Sequence, residues 1–423
     1  MSTRLDLRTV PVPEPGLTPD ALVERARAFR SRLRDEQAET ERRTAHSEAL
    51  HHEFRKAGFY RCLQPRRYGG YEFDLKTFLR IAIELARGDP STGWCVILGA
   101  GHALTLASYF PEQAQSDAFG PDGDFCAPCV AAPLGTATPV NDGWVINGTW
   151  AYASGAPYGT HFMPCVQMPG EKPGETRNGL GILPRTQWTM LDDWRGILGL
   201  RGSGSNSIRV DQQHVPPHCV VPVDMLDVDV SSGTPGTRLH GNPMYGGRCL
   251  SFFHGELVSL MVGLGYAAID EYETVIRKRS TLFPPVTPRY LHPEYQRVLG
   301  LALGMVNAAE RLALNVGDLY MEYCRRGFEG GKPFSLREDL ELFTSTEHGG
   351  RLVFEAVEMM FRTAMTTVAR DGQRLQRYYR DISIYRGHIS AQYEVMAQRL
   401  AVLHLGLAPD GTDRSGTGFP LTR

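Results

Sequence analysis

The spacing of hydrophobic and polar residues changes twice along the chain, and the first part is helical. Over residues 19–121 the apolar positions recur every three or four residues, which is the period of a helix with one buried face. Four residues form one such face: Leu22, Ala26, Phe29 and Leu33. The same spacing predicts further helices over residues 75–87 and 92–109.

The middle part, residues 122–240, has a shorter period and many turn residues. The sequence PVNDG at 139–143 is typical of a hairpin turn between two strands. The runs at 144–152 and 207–211 are rich in β-branched and aromatic residues, which favour strands. We therefore predict a compact antiparallel β domain of seven or eight strands.

Helical spacing returns over residues 241–406, and the helices are longer. On the last one, seven apolar residues step by three or four without interruption: Ile382, Tyr385, Ile389, Tyr393, Met396, Leu400 and Leu403. This stripe is typical of a bundle core, so we predict a C-terminal four-helix bundle with a continuous final helix. The segments 1–18 and 407–423 are rich in Pro, Gly and Thr and are predicted to be loose tails. The predicted fold class is α+β.

Composition and charge exclude several classes of protein. The chain has 423 residues, with 45 Lys and Arg against 47 Asp and Glu, and no long run of like charge. This balance argues against nucleic acid or an anionic membrane as a partner. The first residues lack the apolar core of a signal peptide, and the longest apolar run, 257–269, is too short to cross a bilayer. Eight scattered cysteines suit a reducing compartment, so we expect a cytoplasmic enzyme.

Two local motifs connect this order of domains to a known family. PRRYGG at 65–70 follows the early helices, and WRGILGLRGSGS at 194–205 precedes a strand that ends in Val-Pro. Together with the order of helical, β and helical domains, they resemble the acyl-CoA dehydrogenase family over residues 20–405. The resemblance implies a helical domain over 19–121, a β domain over 122–240 and a four-helix bundle over 241–406.

Three further features resemble one subgroup of that family, the flavin-dependent monooxygenases similar to the oxygenase of p-hydroxyphenylacetate hydroxylase. They are WAYASG at 150–155, Trp94 and His102 eight residues apart on one predicted helix, and RDISIYRGH at 380–388. The resemblance implies an oxygenase component that uses reduced FMN or FAD and O2. It would form a C4a-hydroperoxyflavin and hydroxylate an aromatic, preferably phenolic, substrate.

The same resemblance implies partners. The sequence has no nicotinamide-binding fingerprint, which fits an oxygenase that receives reduced flavin from a separate NAD(P)H:flavin reductase. The family completes its flavin site with a neighbouring subunit, so we expect a homotetramer.

Several residues match the subgroup's flavin positions. His388 would lie beside flavin C4a and gate one proton, and a histidine in an apolar setting has the shifted pKa that such a role needs. Ser154 would bond flavin N5. Trp94 would pack on the flavin ring, and Trp150, four residues before Ser154 and so on the same strand face, would line its edge.

Other residues are assigned to the substrate and to the flavin phosphate. His102 would meet the substrate hydroxyl, and a histidine that takes a phenol proton raises electron density at the ortho carbon. Cys129 could line the substrate pocket. Arg248 and Arg279 compete as the phosphate ligand because guanidinium fits phosphate in a fork. Thr367 lies in a hydroxyl-rich patch expected to face the flavin.

Two alternative functions remain open, and two local signals are set aside. An acyl-CoA dehydrogenase needs a carboxylate base, and Glu256 is the candidate, since residues 366–373 contain no Glu. The second alternative is an N- or S-oxygenase on the same fold. Cys126 and Cys129 form a lone C-x-x-C without the two further ligands that zinc needs. His51 and His52 are predicted to lie on a solvated helix face.

Overall fold

A computed structural model describes residues 9–406 of the chain. In this range it contains twelve α-helices and eight strands, ordered as helices, then one sheet, then helices. The predicted α+β class and the sequence of three structural regions are confirmed. The predictions for residues 1–8 and 407–423 lie outside the described residues. Within residues 9–18, Val10 and Leu17 are buried and Val10 forms a β-bridge with Tyr68, whereas most of the other residues are exposed.

The first region consists of six helices, one of which is almost wholly buried. They are α1 (Pro19–Ala28), α2 (Arg30–Arg43), α3 (Glu48–Ala57), α4 (Leu75–Gly88), α5 (Pro90–Tyr109) and α6 (Glu112–Phe119). Asp89 starts α5, because its carboxylate accepts from the Thr92 backbone N–H at 3.1 Å and from the Thr92 hydroxyl at 2.6 Å. Nearly every residue of α5 is buried, so its polar side chains must find partners inside the protein.

One histidine of this region is buried although the sequence predicts that it is exposed. His51 was expected on a solvated face, but it is buried, and its ring stacks on Tyr158 at 4.3 Å between centroids. The ring of His46 stacks on the same tyrosine at the same distance. These contacts attach α3 to the loop that follows the second strand, and so explain why the histidine faces inward.

The middle region is a single curled sheet. Its strands are β1 (Cys129–Val140), β2 (Gly143–Trp150), β3 (His161–Pro169), β4 (Thr176–Gly181), β5 (Leu183–Pro184), β6 (Thr189–Met190), β7 (Ile208–Val215) and β8 (Val220–Val221). The order is β6-β7-β2-β1-β3-β4-β8, and β5 pairs with β3. The predicted hairpin joins β1 to β2. The sheet is not wholly antiparallel, since β1 and β3 run parallel.

The parallel pair fixes the path of the loop between β2 and β3. Because β1 lies between these two strands, residues 151–160 must pass over the end of β1 before β3 can begin. This connection contains Ser154. A hairpin would have joined neighbouring antiparallel strands with two residues, but a connection that passes over a strand needs more.

The last region is a bundle of long helices. Its elements are α7 (Pro235–His240), α8 (Leu250–Lys278), α9 (Pro293–Phe328), α10 (Leu336–Ala364), α11 (Arg374–Arg386) and α12 (Tyr393–His404). The final helix is not continuous as predicted, because α11 ends at Arg386 and a short turn precedes α12. Gly387 disfavours a helix interior by roughly 1 kcal/mol. Ile389, a member of the predicted stripe, is 39% exposed, so little burial compensates for that cost.

Helix α8 is the bundle's central helix. Among the described residues it alone is long and apolar enough to match a membrane span, but 89% of its most apolar window is buried inside the fold. Its apolar surface therefore belongs to the protein core.

Candidate active site

A chain of hydrogen bonds joins α5 to two loops of the sheet. The indole N–H of Trp94 donates to the Ser154 hydroxyl at 2.8 Å. Ser154 Oγ lies 2.8 Å from Ser205 Oγ, which lies 2.6 Å from Ser203 Oγ. Either hydroxyl of each serine pair can be the donor, so the chain can reverse direction and Ser154 can offer a ligand a proton or a lone pair.

Backbone hydrogen bonds hold the two loops together. Ala153 donates to the carbonyl of Asn206 at 3.0 Å, and Gly155 donates to the carbonyl of Ser203 at 3.2 Å. Gly155 has φ of +82°, which glycine adopts without strain, and this permits the tight turn after Ser154. The serine hydroxyls are therefore fixed by backbone pairing as well as by one another.

Arg380 and Asp381 of α11 bind the loop that carries Ser203 and Ser205, and so attach this loop to the helical bundle. Asp381 Oδ1 accepts from the backbone N–H of Leu200 at 2.6 Å, and Arg380 donates to the carbonyl of Leu198 at 2.9 Å. Gly199 passes so close that a Cβ there would lie 2.2 Å from the Arg380 carbonyl oxygen. Burial raises the pKa of Asp381 to about 7. The motif thus has a positioning role for the loop that carries Ser205.

His388 lies beside Trp94, but in the turn after α11 rather than on a helix. The two rings meet edge to face with 5.5 Å between centroids. Burial lowers the pKa of His388 to about 4, so the imidazole is neutral at physiological pH. Three predicted flavin residues, Trp94, Ser154 and His388, therefore converge.

Tyr385 packs against Trp94, and Glu347 holds Tyr385 in place. The ring of Tyr385 lies edge-on to Trp94 at 6.3 Å, and its hydroxyl donates to Glu347 Oε1 at 2.8 Å. Burial raises the pKa of Glu347 to about 8, and the hydrogen bond from Tyr385 partly opposes that rise. Glu347 is thus mainly protonated at neutral pH.

His102, two turns further along α5, has a fixed tautomer. Its Nδ1 lies 2.7 Å from the carbonyl oxygen of Ala127. A carbonyl only accepts, so Nδ1 carries the proton and Nε2 keeps a lone pair. Burial lowers the pKa of His102 to about 4, which keeps it neutral. The ring of Phe253, from α8, lies 5.6 Å away.

Cys129 and Glu256 are two further candidates near the middle of α5, where the carboxyl of Glu256 approaches Gly101. Cys129, at the start of β1, is half-buried, and burial raises the pKa of its thiol, with a smaller contribution from nearby Glu256. Glu256 is 1% exposed, and burial raises its pKa well above the usual range. A base must be ionised to take a proton, so this environment argues against Glu256 as a dehydrogenase base. Among residues 9–406 no group of ligands suitable for a metal is found, at Cys126 and Cys129 or elsewhere.

Trp150 is placed differently from its prediction. Strand β2 ends at Trp150, so Ser154 is not on the same strand face. The indole is fully buried in the core of the sheet, where its N–H donates to the Cys165 carbonyl at 2.7 Å and its ring lies edge-on to Phe162. In this position it supports the sheet from inside, apart from the Trp94 group.

The two candidate phosphate arginines have different surroundings. Arg248 is 5% exposed and pairs with Asp227 at 3.0 Å and with Asp339 at 3.4 Å. Asp339 also accepts from the first turn of α8, at the backbone N–H of Ser251. Arg279 follows the end of α8 and donates to the hydroxyl of Thr367. The carboxylates already neutralise Arg248, whereas Arg279 pairs only with a neutral hydroxyl in the contacts described.

The two loops that hold Ser154 and Ser205 expose apolar side chains. Tyr152, two residues before Ser154, is 56% exposed, and Leu198, on the other loop, is 52% exposed. Exposed apolar side chains next to a hydroxyl provide a face for a ring and a partner for its polar edge. The residues present therefore fit a flavin.

The sequence did not indicate four members of this site: Ser203, Ser205, Glu347 and Tyr385. The two serines lie inside the glycine-rich motif at 194–205, where glycines indicate a turn but nothing local indicates that the hydroxyls face Ser154. The glutamate and tyrosine are 38 residues apart in sequence, and only the packing of α10 against α11 brings them together.

Comparison with known proteins agrees with this geometry. The family model for the acyl-CoA dehydrogenase N-terminal domain matches residues 18–122, and that for the C-terminal domain matches residues 257–393, together more than half of the chain. The oxygenase subunit HsaA, a flavin-dependent monooxygenase of Rhodococcus jostii, is 28% identical over 79% of this chain and 85% of its own.

Two further matches extend over more of the chain. The oxygenase component of an FADH(2)-dependent resorcinol hydroxylase from Rhizobium is 26% identical over 90% of this chain and 92% of its own. The crystal structure of the 3-HSA hydroxylase from Rhodococcus superposes with a TM-score of 0.82 at 25% identity, covering 92% of this chain and 97% of that one.

The chain belongs to the acyl-CoA dehydrogenase family. Within this family it is a flavin-dependent monooxygenase, which uses reduced flavin and O2. The corresponding expectations of fold and activity are confirmed.

Proposed function

We propose that this chain is an oxygenase component that hydroxylates a phenolic aromatic substrate, with reduced flavin supplied by a separate reductase. The observation that supports it best is the convergence of Trp94, Ser154 and His388, with the neutral His102 further along the same helix as Trp94. Trp94, Ser154 and His388 suit the flavin, and His102 suits a phenol.

Reduced flavin, when bound, activates O2 and supplies one oxygen atom to the substrate. Ser154 would bond the polar edge of the flavin ring, because its hydroxyl can act as donor or acceptor through the serine chain. Trp94 fixes the orientation of that hydroxyl. His388 would hold or deliver one proton near the ring, since a neutral imidazole can do both.

His102 would bind the substrate hydroxyl through Nε2. Because Nδ1 already donates to Ala127, the free lone pair accepts the phenol proton and increases electron density on the aromatic ring. The neutral state of His102 is required for this step, and burial supplies it.

Arg279 and Thr367 are our candidates for the flavin phosphate, and they support a homotetramer. Arg279 opens the loop between α8 and α9, in which Leu282, Phe283 and Val286 are 64%, 80% and 64% exposed. Exposed apolar clusters mark interaction sites. A neighbouring subunit would cover this loop and bring its own flavin to Arg279.

All eight cysteines are free thiols, which agrees with a cytoplasmic location.

The test is anaerobic titration of the protein with reduced FMN and reduced FAD, followed by mixing with oxygenated buffer and a panel of phenols, amines and thioethers. We expect tight binding of reduced flavin and hydroxylated product from phenols alone. Product from amines or thioethers would instead establish an N- or S-oxygenase. Oxidation of an acyl-CoA thioester would contradict the proposal.

A further inference from the structure

A buried carboxyl group near His102 has no role in the function proposed above. Glu256 lies in the second turn of α8 and is 1% exposed. Its Oε2 atom has no hydrogen-bond partner among the described residues, and no ion pair involving it is found there. An unpartnered polar atom in a buried position destabilises the folded protein, so its presence here calls for an explanation.

The carboxyl group lies against α5 at Gly101, the residue before His102. A Cβ built on Gly101 would lie 2.4 Å from Glu256 Oε2, so a side chain at this position would displace the carboxyl group from where it now lies. Phe253, on the turn before Glu256, contacts the His102 ring, and Cys129 is close enough for the glutamate to affect its thiol.

The chemical states of the two polar groups are complementary. Without a nearby cation, burial keeps the Glu256 carboxyl protonated, so it offers an O–H donor. His102 offers a lone pair at Nε2. The surrounding side chains are aromatic rings and a thiol, which would hold an aromatic ring and leave these two groups to orient it.

We propose that Glu256 determines substrate specificity by donating a hydrogen bond to a second oxygen of the substrate while His102 accepts from the phenol hydroxyl. This inference rests on the proposed function. The preferred substrate class is therefore a phenol with a further hydroxyl or carbonyl oxygen on its ring system. A site built to bond such an oxygen rejects the analogue that lacks it, because the buried carboxyl is then left unpaired.

The test is calorimetric binding of phenol, catechol, resorcinol and hydroquinone to the flavin-free wild type, Glu256→Gln and Glu256→Met. We expect at least one dihydroxybenzene to bind the wild type about tenfold more tightly than phenol, the ratio given by one hydrogen bond of about 1.4 kcal/mol. Glu256→Met should abolish this ratio, so that no dihydroxybenzene binds more tightly than phenol does to the same variant. Glu256→Gln, whose amide N–H can still donate, should retain most of it.

A second measurement needs no ligand. Infrared difference spectra of wild type minus Glu256→Gln at neutral pH should show the carbonyl band of a protonated carboxyl, and its absence would overturn the assignment. An unchanged ratio in Glu256→Met would also overturn it. His102→Ala separates the two proposals: if it does not weaken phenol binding, the phenol site is wrong, whereas an effect of His102→Ala without one of Glu256→Met removes Glu256 alone.

Discussion

The indole N–H of Trp94 donates to the hydroxyl of Ser154 at 2.8 Å, across the boundary between the helical region and the sheet. The helix thereby orients a hydroxyl that belongs to a loop. Trp94 is buried, so its N–H has no alternative partner in water if the serine is removed.

The first prediction is an energetic coupling between these two residues. Ser154→Ala should lower the free energy of unfolding by about 1–3 kcal/mol, because it leaves the indole N–H unpaired. Trp94→Phe in the same background should cost less than it does in the wild type, since no donor remains to be satisfied. A double-mutant cycle by urea unfolding measures the coupling. Strictly additive effects would show that the bond contributes no stability.

The second prediction concerns His388. His388→Ala should release most of the oxygen as hydrogen peroxide, because the group that holds a proton beside the flavin is lost. Hydroxylated product per flavin oxidised is the measurement, and folding should be unchanged. The matched control is His348→Ala, since His348 is exposed and bonds Tyr393 in the same part of the bundle. Equal loss in both variants would mean that His388 is only structural.

The third prediction separates the two arginines. Arg248→Met should destabilise the protein by roughly 3–5 kcal/mol, because the buried carboxylate of Asp339 is left without its cation. Arg279→Met should leave the unfolding midpoint nearly unchanged and weaken the binding of reduced flavin. Thermal unfolding and anaerobic flavin titration measure the two effects. Loss of flavin affinity without destabilisation in Arg248→Met would reverse the assignment.

The fourth prediction is a pH dependence due to Glu347. Its pKa rises from 4.5 to about 8 on folding. Between these values the unfolded chain has lost the proton that the folded protein keeps, so rising pH favours unfolding by up to about 1.4 kcal/mol per pH unit. Glu347→Gln should remove this slope and stabilise the protein at pH above neutrality. Glu341→Gln, at an exposed carboxylate on the same helix, should leave the slope intact.

The fifth prediction is a loss of stability at acidic pH that is due to His46. Burial lowers the pKa of His46 from 6.5 to about 3, and its ring nitrogens have no hydrogen-bond partner among the described residues. Between those values the unfolded histidine binds a proton and the folded one does not, so falling pH favours unfolding. His46→Phe should flatten this limb, as measured by urea midpoints across the acid range. His52→Gln, at an exposed neighbour, should not.

The sequence predicted the elements whose pattern is local. The helices α4 and α5 and the β1–β2 hairpin follow from apolar period and turn residues, which act within a few positions. The grouping of Trp94, Ser154 and His388 came from resemblance, because their sequence separations carry no geometric information. Local pattern failed where burial decided the outcome, as at the break near Gly387 and at the inward-facing His51.

The partners of site residues were also beyond sequence reasoning. Arg248 looked like a phosphate ligand because guanidinium is suited to phosphate, but the fold brings Asp339 to it from 91 residues away. Glu256 looked like a base because it is a carboxylate at a plausible position. Its surroundings, which determine whether it is ionised, depend on the packing of α8 against Gly101.

The loop that passes over β1 carries Ser154 and does not have to keep two strands in register. A hairpin turn at this place would have had to do both. Adjacent strands lie about 4.8 Å apart, so crossing one strand spans roughly 10 Å, which three extended residues can cover. The connection has ten residues, 151–160, and most of them are free of the sheet's register. The position of Ser154 is therefore set by the loop's own backbone hydrogen bonds, from Ala153 to Asn206 and from Gly155 to Ser203, and not by the pairing of the strands on either side.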